Sequence, residues 1–112
     1  MPRTRRTLAA LLLCAATLFP GLAEAGRPSF TLRLDATGFT PDHLTVPAGR
    51  KIELHIINAG RVAAEFESAD LNREKVVPAS SQVVVFIGPL HAGNYSFFND
   101  FNPRLRGRIV AR

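Results

Sequence analysis

The residues of this sequence best able to do chemistry are carboxylates. Glu65 and Glu67 flank Phe66, Asp70 and Glu74 follow closely, and Asp100 interrupts the aromatic stretch Phe97-Phe98-Asn99-Asp100-Phe101. Residues two apart on a strand share a face, so Glu65 and Glu67 point together while Phe66 points into the core. Carboxylates joined by an imidazole suit a hard or borderline cation such as iron, manganese or Cu(II). Carboxylates held close together repel one another, and a bound cation relieves that repulsion. The plainer reading is a solvated charged face, since Arg61, Arg73 and Lys75 stand among these acids. Of the histidines, His55 lies mid-strand beside Glu53 and reads as a surface residue paired across the sheet. His43, after Pro41-Asp42, and His91, in the turn before Gly93, are candidate ligands. No Ser-His-Asp spacing, phosphate loop or paired-acid motif supports hydrolytic chemistry, and Ser80 and Ser81 belong to a turn.

Short strands must position these side chains. Residues 29–35 alternate Phe30, Leu32 and Leu34 against Thr31 and Arg33, a half-buried strand. Leu44 and Val46 form a short strand closed by the Pro47-Ala48-Gly49 turn. Residues 51–58 alternate most clearly, with Ile52, Leu54 and Ile56 on one face, and end at Asn58-Ala59-Gly60. Residues 62–67 extend around Phe66, and residues 70–75 read as a polar loop leading into Val76 and Val77. Val83-Val84-Val85-Phe86-Ile87 is apolar on both faces, which implies cover on both sides. Residues 94–98 form a strand, 99–106 a polar loop and 107–111 the last strand. About seven short strands punctuated by Gly and Pro, with no helix after the first segment, predict an all-β sandwich.

The opening segment reads as a secretory signal peptide. Arg3, Arg5 and Arg6 precede an apolar run over residues 8–22, and Ala23-Glu24-Ala25 supplies the small residues of a cleavage site. The run is shorter than the ~20 apolar residues of a membrane span. Whether the adjacent arginines mark twin-arginine export stays open. Residues 1–25 are therefore expected to be removed, leaving 26–112 as one exported domain. Cys14, the sole cysteine, lies in the removed segment, so the mature chain has neither thiol nor disulfide and rests on its apolar core. Without Arg3, Arg5, Arg6 and Glu24, 11 of the 14 basic and 8 of the 9 acidic residues remain, a net charge of +3 rather than +5. Nucleic acid is a poor partner for an exported chain lacking aromatic-basic interleaving. Arg104, Arg106 and Arg108 line one side of the last loop and strand, either a solvated edge or a docking patch for an acidic partner.

The order of landmarks carries a resemblance. Phe39-x-Pro41-x-x-Leu44-x-Val46-Pro47-Ala48-Gly49 is followed by Asn58-Ala59-Gly60 and by Glu65-Phe66-Glu67-Ser68. Gly88-Pro89-Leu90-x-x-Gly93-x-Tyr95-x-Phe97-Phe98-x-Asp100-Phe101 and a closing Gly107-x-Ile109-Val110 complete the series. Over residues 30–110 this resembles the cupredoxin-like proteins of bacterial periplasmic iron-uptake systems, among them the small cupredoxin component of ferrous-iron transporters. The resemblance implies a cupredoxin-like Greek-key β-sandwich. Ala64 stands where copper carriers place their first His, Asn99 where they place Cys, and residues 101–106 offer no His or Met. Without a thiolate a type 1 copper centre is excluded.

In the iron-uptake relatives carboxylates replace the imidazoles, which maps onto Glu67, Glu74 and Asp100, with Asn102 where some relatives carry a further His. His43 or His91 would approach the same site from other loops. The resemblance thus implies a periplasmic protein that binds iron or copper ions and serves ferrous-iron uptake. Its partners would be an iron permease and a companion periplasmic iron-binding protein, with the membrane reached only through a partner. At most it would be an accessory to Fe(II) oxidation. The alternative is a metal-free module that docks a partner through Arg104, Arg106 and Arg108 or through Phe98 and Phe101.

Overall fold

The computed structural model describes residues 27–112, so the signal-peptide reading and Cys14 lie outside the described residues. The described chain forms nine strands in two sheets. They are β1 (Ser29–Asp35), β2 (Gly38–Thr40), β3 (His43–Val46), β4 (Ile52–Asn58), β5 (Ala64–Ser68), β6 (Arg73–Val77), β7 (Ser81–Ile87), β8 (Gly93–Asn99) and β9 (Asn102–Ala111). One sheet runs β2-β1-β4-β7 and the other β3-β9-β8-β5-β6. β1 pairs parallel with β4 and β3 with β9, while the remaining ladders are antiparallel. This is the expected all-β sandwich, with two strands more than the alternation announced.

The core lies between the sheets and follows from period-two patterning. β4 buries Ile52, Leu54, Ile56 and Asn58, and β5 buries Ala64, Phe66 and Ser68. Phe97 of β8 sits at the centre, edge-on to Phe39 at 4.9 Å and tilted against Phe66 at 5.3 Å between ring centroids. Offset and edge-on pairs are the favoured aromatic geometries. Gly107 of β9, opposite Phe97, makes room for that ring. A Cβ there would lie 2.6 Å from the Phe97 Cζ and 2.6 Å from the Asp42 carbonyl oxygen.

Three expectations need correction. Residues 70–75 are not a loop throughout, because Arg73 to Val77 form β6. It is an edge strand that sends only Val77 to the core, so its polar sequence hid the strand pattern. The apolar run of β7 is covered on one face only, with Val84 and Phe86 39% and 43% exposed on the other. Arg27 rests over the Phe86 ring at 5.1 Å, and Arg73 Nε donates to the Phe86 carbonyl, closing this edge towards β6. The loop expected over residues 99–106 is mostly strand, with a turn at Asp100 and Phe101. The register jumps from Phe98↔Arg106 to Asn99↔Asn102, so residues 103–105 stand out of line and Leu105 is half-buried.

The Gly107 contact gives a direct test. Gly107→Ala should lower unfolding free energy in urea by about 1–3 kcal/mol, since both atoms it meets are held by core packing or backbone. An unchanged urea midpoint would show that Phe97 and β3 shift freely.

Candidate metal site and the adjoining cavity

β5 lies between β8 and β6, and its outward residues are Glu65 and Glu67. Across one ladder Glu67 faces Glu74 of β6 and Glu65 faces Val76; across the other Glu67 faces Phe98 of β8. The turn after β8 brings Asp100 to the same place, because the Asp100 backbone N–H donates to the Glu65 carbonyl at 2.9 Å. Ligand oxygens of Glu65, Glu67 and Asp100 all lie within 4.8 Å of one another. Oxygens bound to one cation at about 2.0–2.6 Å lie no more than about 4–5 Å apart, so the three oxygens are close enough to share one ion.

The electrostatics follow from this crowding. Half-burial is the largest influence raising the Glu65 carboxyl above its ordinary 4.5, followed by the negative charge of Glu74 and by Asp100, which favours a shared proton. Glu67 is raised for the same reasons, burial first, then Glu74 and Asp100. Arg61, Arg73 and Lys75 make no ion pair with these carboxylates; the ion pairs found among the described residues are Asp42–His43 and Glu53–His55. Asp70 stands apart, its Oδ2 accepting from the Ser96 N–H and hydroxyl.

The structure thus brings Glu67 and Asp100 together and adds Glu65, while Glu74 stands across the ladder from Glu67 but outside this group of close oxygens. The parity of β5 already put Glu65 beside Glu67; register with the turn then sets it against Asp100. It does not bring the histidines there. His91 precedes β8, at the opposite end of that strand from Asp100, about 20 Å away at the rise of an extended chain. The whole length of β8 lies between His91 and Asp100, which the expectation for His91 overlooked. His43 lies on β3, separated from β5 by β9 and β8. Its Nδ1 meets Asp42 at 3.0 Å and its Nε2 meets the Arg108 guanidinium at 2.7 Å, so both ring nitrogens are engaged. His55 pairs with Glu53 at 2.7 Å along its own strand, not across to another.

Behind the cluster, Asn99 points inward. Its Oδ1 accepts from the Glu65 N–H at 2.9 Å and the Phe101 N–H at 3.0 Å, so one amide oxygen ties β5 to the β8–β9 turn. Asn99 and Ala64 line a cavity of about 310 Å³ at this end of the sandwich, with Leu34, Ala36, Phe101 and Leu105. These residues do not fit copper: among the described residues neither an imidazole nor a thiolate lines the cavity, and Asn99 Oδ1 is already occupied by two donors.

The raised carboxyls set a pH dependence. A folded pKa above the unfolded value means the folded chain holds more protons between the two, so their contribution to stability falls as pH rises through that window. Relative to an E65Q/E67Q variant, cation-free protein should therefore lose stability on going from below pH 4.5 to neutral. Urea unfolding of both proteins across that range checks this, and parallel profiles would contradict it.

A family model described as the cupredoxin-like domain matches residues 7–111. A protein of Rickettsia prowazekii whose function is uncharacterised is 42% identical over 64 residues. That stretch is 57% of this chain and 51% of the relative, so the chain spans about half the length of the curated protein it matches. Among solved structures, the metal-binding domain of the Cu(I)-exporting P-type ATPase of Streptococcus pneumoniae superposes with a TM-score of 0.69 at 14% identity, over 80% of this chain and 89% of that one. A reduced auracyanin of Roseiflexus castenholzii gives 0.64 at 10% identity, over 78% and 98%. Amicyanin of Paracoccus versutus gives 0.59 at 14%, over 75% and 81%. The two-sheet architecture and the match along nearly the whole sequence lead to one conclusion: this chain belongs to the cupredoxin-like domain family.

Proposed function

We propose that this protein is an exported, cupredoxin-like metal carrier that holds a hard or borderline cation, iron or Cu(II), on Glu65, Glu67 and Asp100, with Glu74 adding negative charge. The observation that supports this most is the meeting of three carboxylates within 4.8 Å, two of them half-buried and none ion-paired with an arginine or lysine among the described residues. Uncompensated carboxylates this close repel one another, and a cation turns that repulsion into attraction. All-oxygen donors favour hard ions over Cu(I). Iron as the cargo, and service to a permease and a companion periplasmic protein in ferrous-iron uptake, rest on the resemblance to iron-uptake cupredoxins. Export rests on the signal-peptide reading of residues 1–25. The role assigned is to hold and hand on the ion; an accessory part in Fe(II) oxidation rests on the same resemblance.

A second reading has support in the exposed aromatic rim. Phe101 is 55% exposed at the cavity mouth, and Arg106 stacks over Phe98 at 5.6 Å beside it. Together with Arg104 and Arg108, this surface suits a metal-free module that docks an acidic partner.

Calorimetric titration of the metal-stripped protein with Mn(II), Fe(III)-citrate and Cu(II) separates the readings. One equivalent should bind saturably, Glu67→Ala should weaken it at least tenfold, and His43→Ala and His91→Ala should leave it unchanged. Binding that persists in the Glu67 variant but falls in a histidine variant would overturn the carboxylate assignment. No binding by any ion would move the account to the docking module.

A further inference from the structure

The cavity at the Asn99 end of the sandwich plays no part in the carboxylate cluster, although the two lie back to back across one turn. Its walls are mainly apolar, from Leu34, Ala36, Ala64, Phe101 and Leu105. At about 310 Å³ it falls at the small end of ligand cavities. Two asparagines border it, and they differ in how their side chains are used. Asn58 is fully engaged: Nδ2 donates to the Val62 and Val77 carbonyls, and Oδ1 accepts from the Gly60 N–H.

Asn99 is engaged on one side only. The Glu65 and Phe101 N–H groups both donate to Oδ1, which fixes the oxygen end of the amide. Nδ2 then carries two N–H donors with no partner among the described residues, on a residue only 5% exposed. A buried donor left unpaired is costly, so this group calls for an acceptor. An amide N–H cannot ligate a cation, and Ala64 opposite offers no ligand atom. At the mouth stands Arg61, exposed, with no carboxylate partner among the described residues. Asp35 shares that rim, but its Oδ1 is turned to the Thr37 N–H and hydroxyl. Apolar walls, a neutral donor inside and a guanidinium at the rim together describe the chemistry of the occupant.

We propose that this cavity binds a small organic carboxylate with an apolar body, of the size of an aromatic monocarboxylate. A carboxylate oxygen accepts from Asn99 Nδ2, Arg61 balances the charge, and the body replaces water against Ala64, Phe101 and Leu105. This inference does not rest on the cation reading, since it uses neither Glu67 nor Glu74.

The test is an NMR titration of the ¹⁵N-labelled, metal-free protein with sodium benzoate, with toluene as the probe lacking an acceptor. Benzoate should move the Asn99 side-chain NH₂ resonances saturably, and toluene should bind at least tenfold more weakly. Asn99→Asp keeps an oxygen for the Glu65 and Phe101 N–H groups but replaces the donor, and should weaken benzoate at least tenfold. Arg61→Gln, at an exposed position, should weaken it about threefold to tenfold and serves if the Asn99 variant fails to fold. Glu67→Ala should leave benzoate binding in place, which separates this site from the cation site. The proposal is overturned if the Asn99 signals do not respond, if toluene binds as well as benzoate, or if a long-lived water on Asn99 persists at saturating benzoate.

Discussion

Much of this molecule's chemistry hangs on one side chain, Asn99. Its amide oxygen accepts from the backbone of β5 and from the turn between β8 and β9, and so joins elements that are 34 residues apart in the chain. Buried polar groups must be paired, and here the pairing sets the position of Asp100 on the outer face of the sheet. With Asp100 held next to Glu65, the outward parity of β5 supplies Glu67 as well, and the β5–β6 register supplies Glu74. The carboxylate cluster is therefore built on two strand residues and one turn residue, the turn being tied to β5 by backbone hydrogen bonds and one amide. Elements fixed this way hold ligand groups more closely than free loops do.

The same turn separates two environments. Outward lie crowded carboxylates with no ion-paired cation among the described residues; inward lies a mainly apolar cavity bordered by the Asn99 amide. Ala64 and Asn99 line the cavity, while Glu65 and Asp100, each one residue further along the chain, carry charge on the other face. The cost is carboxyls that resist ionisation in the folded state, and a bound cation offsets it. Beneath the site Phe97 packs against Phe66 and Phe39 in the core.

A large part of the fold was legible in the sequence. Alternation in residues 29–35 and 51–58 gave β1 and β4 nearly to the residue, and the Gly and Pro punctuation marked most turns. What stayed hidden depends on edges. β6 is polar because it shields only Val77, so its strand character has no apolar signature. β7 reads as doubly apolar although one face meets solvent, its cover being limited to the arginines at its edge. For the site, parity put Glu65 and Glu67 on one face, but which other acids join them depends on cross-strand register and on which end of a hairpin a residue occupies. His91 was misjudged on that second point, since it stands at the start of β8 and Asp100 follows its end. Asn99 read only as a missing cysteine, and nothing in its neighbours announces its two backbone partners.

The central claim concerns a place, and diffraction can locate it. Crystals soaked in Mn(II), with data collected where manganese scatters anomalously, would show where the ion sits. The account predicts one strong anomalous peak bounded by Glu65, Glu67 and Asp100, at about 2.0–2.3 Å from their oxygens. A peak at His43 or His91 with none at the carboxylates would contradict it.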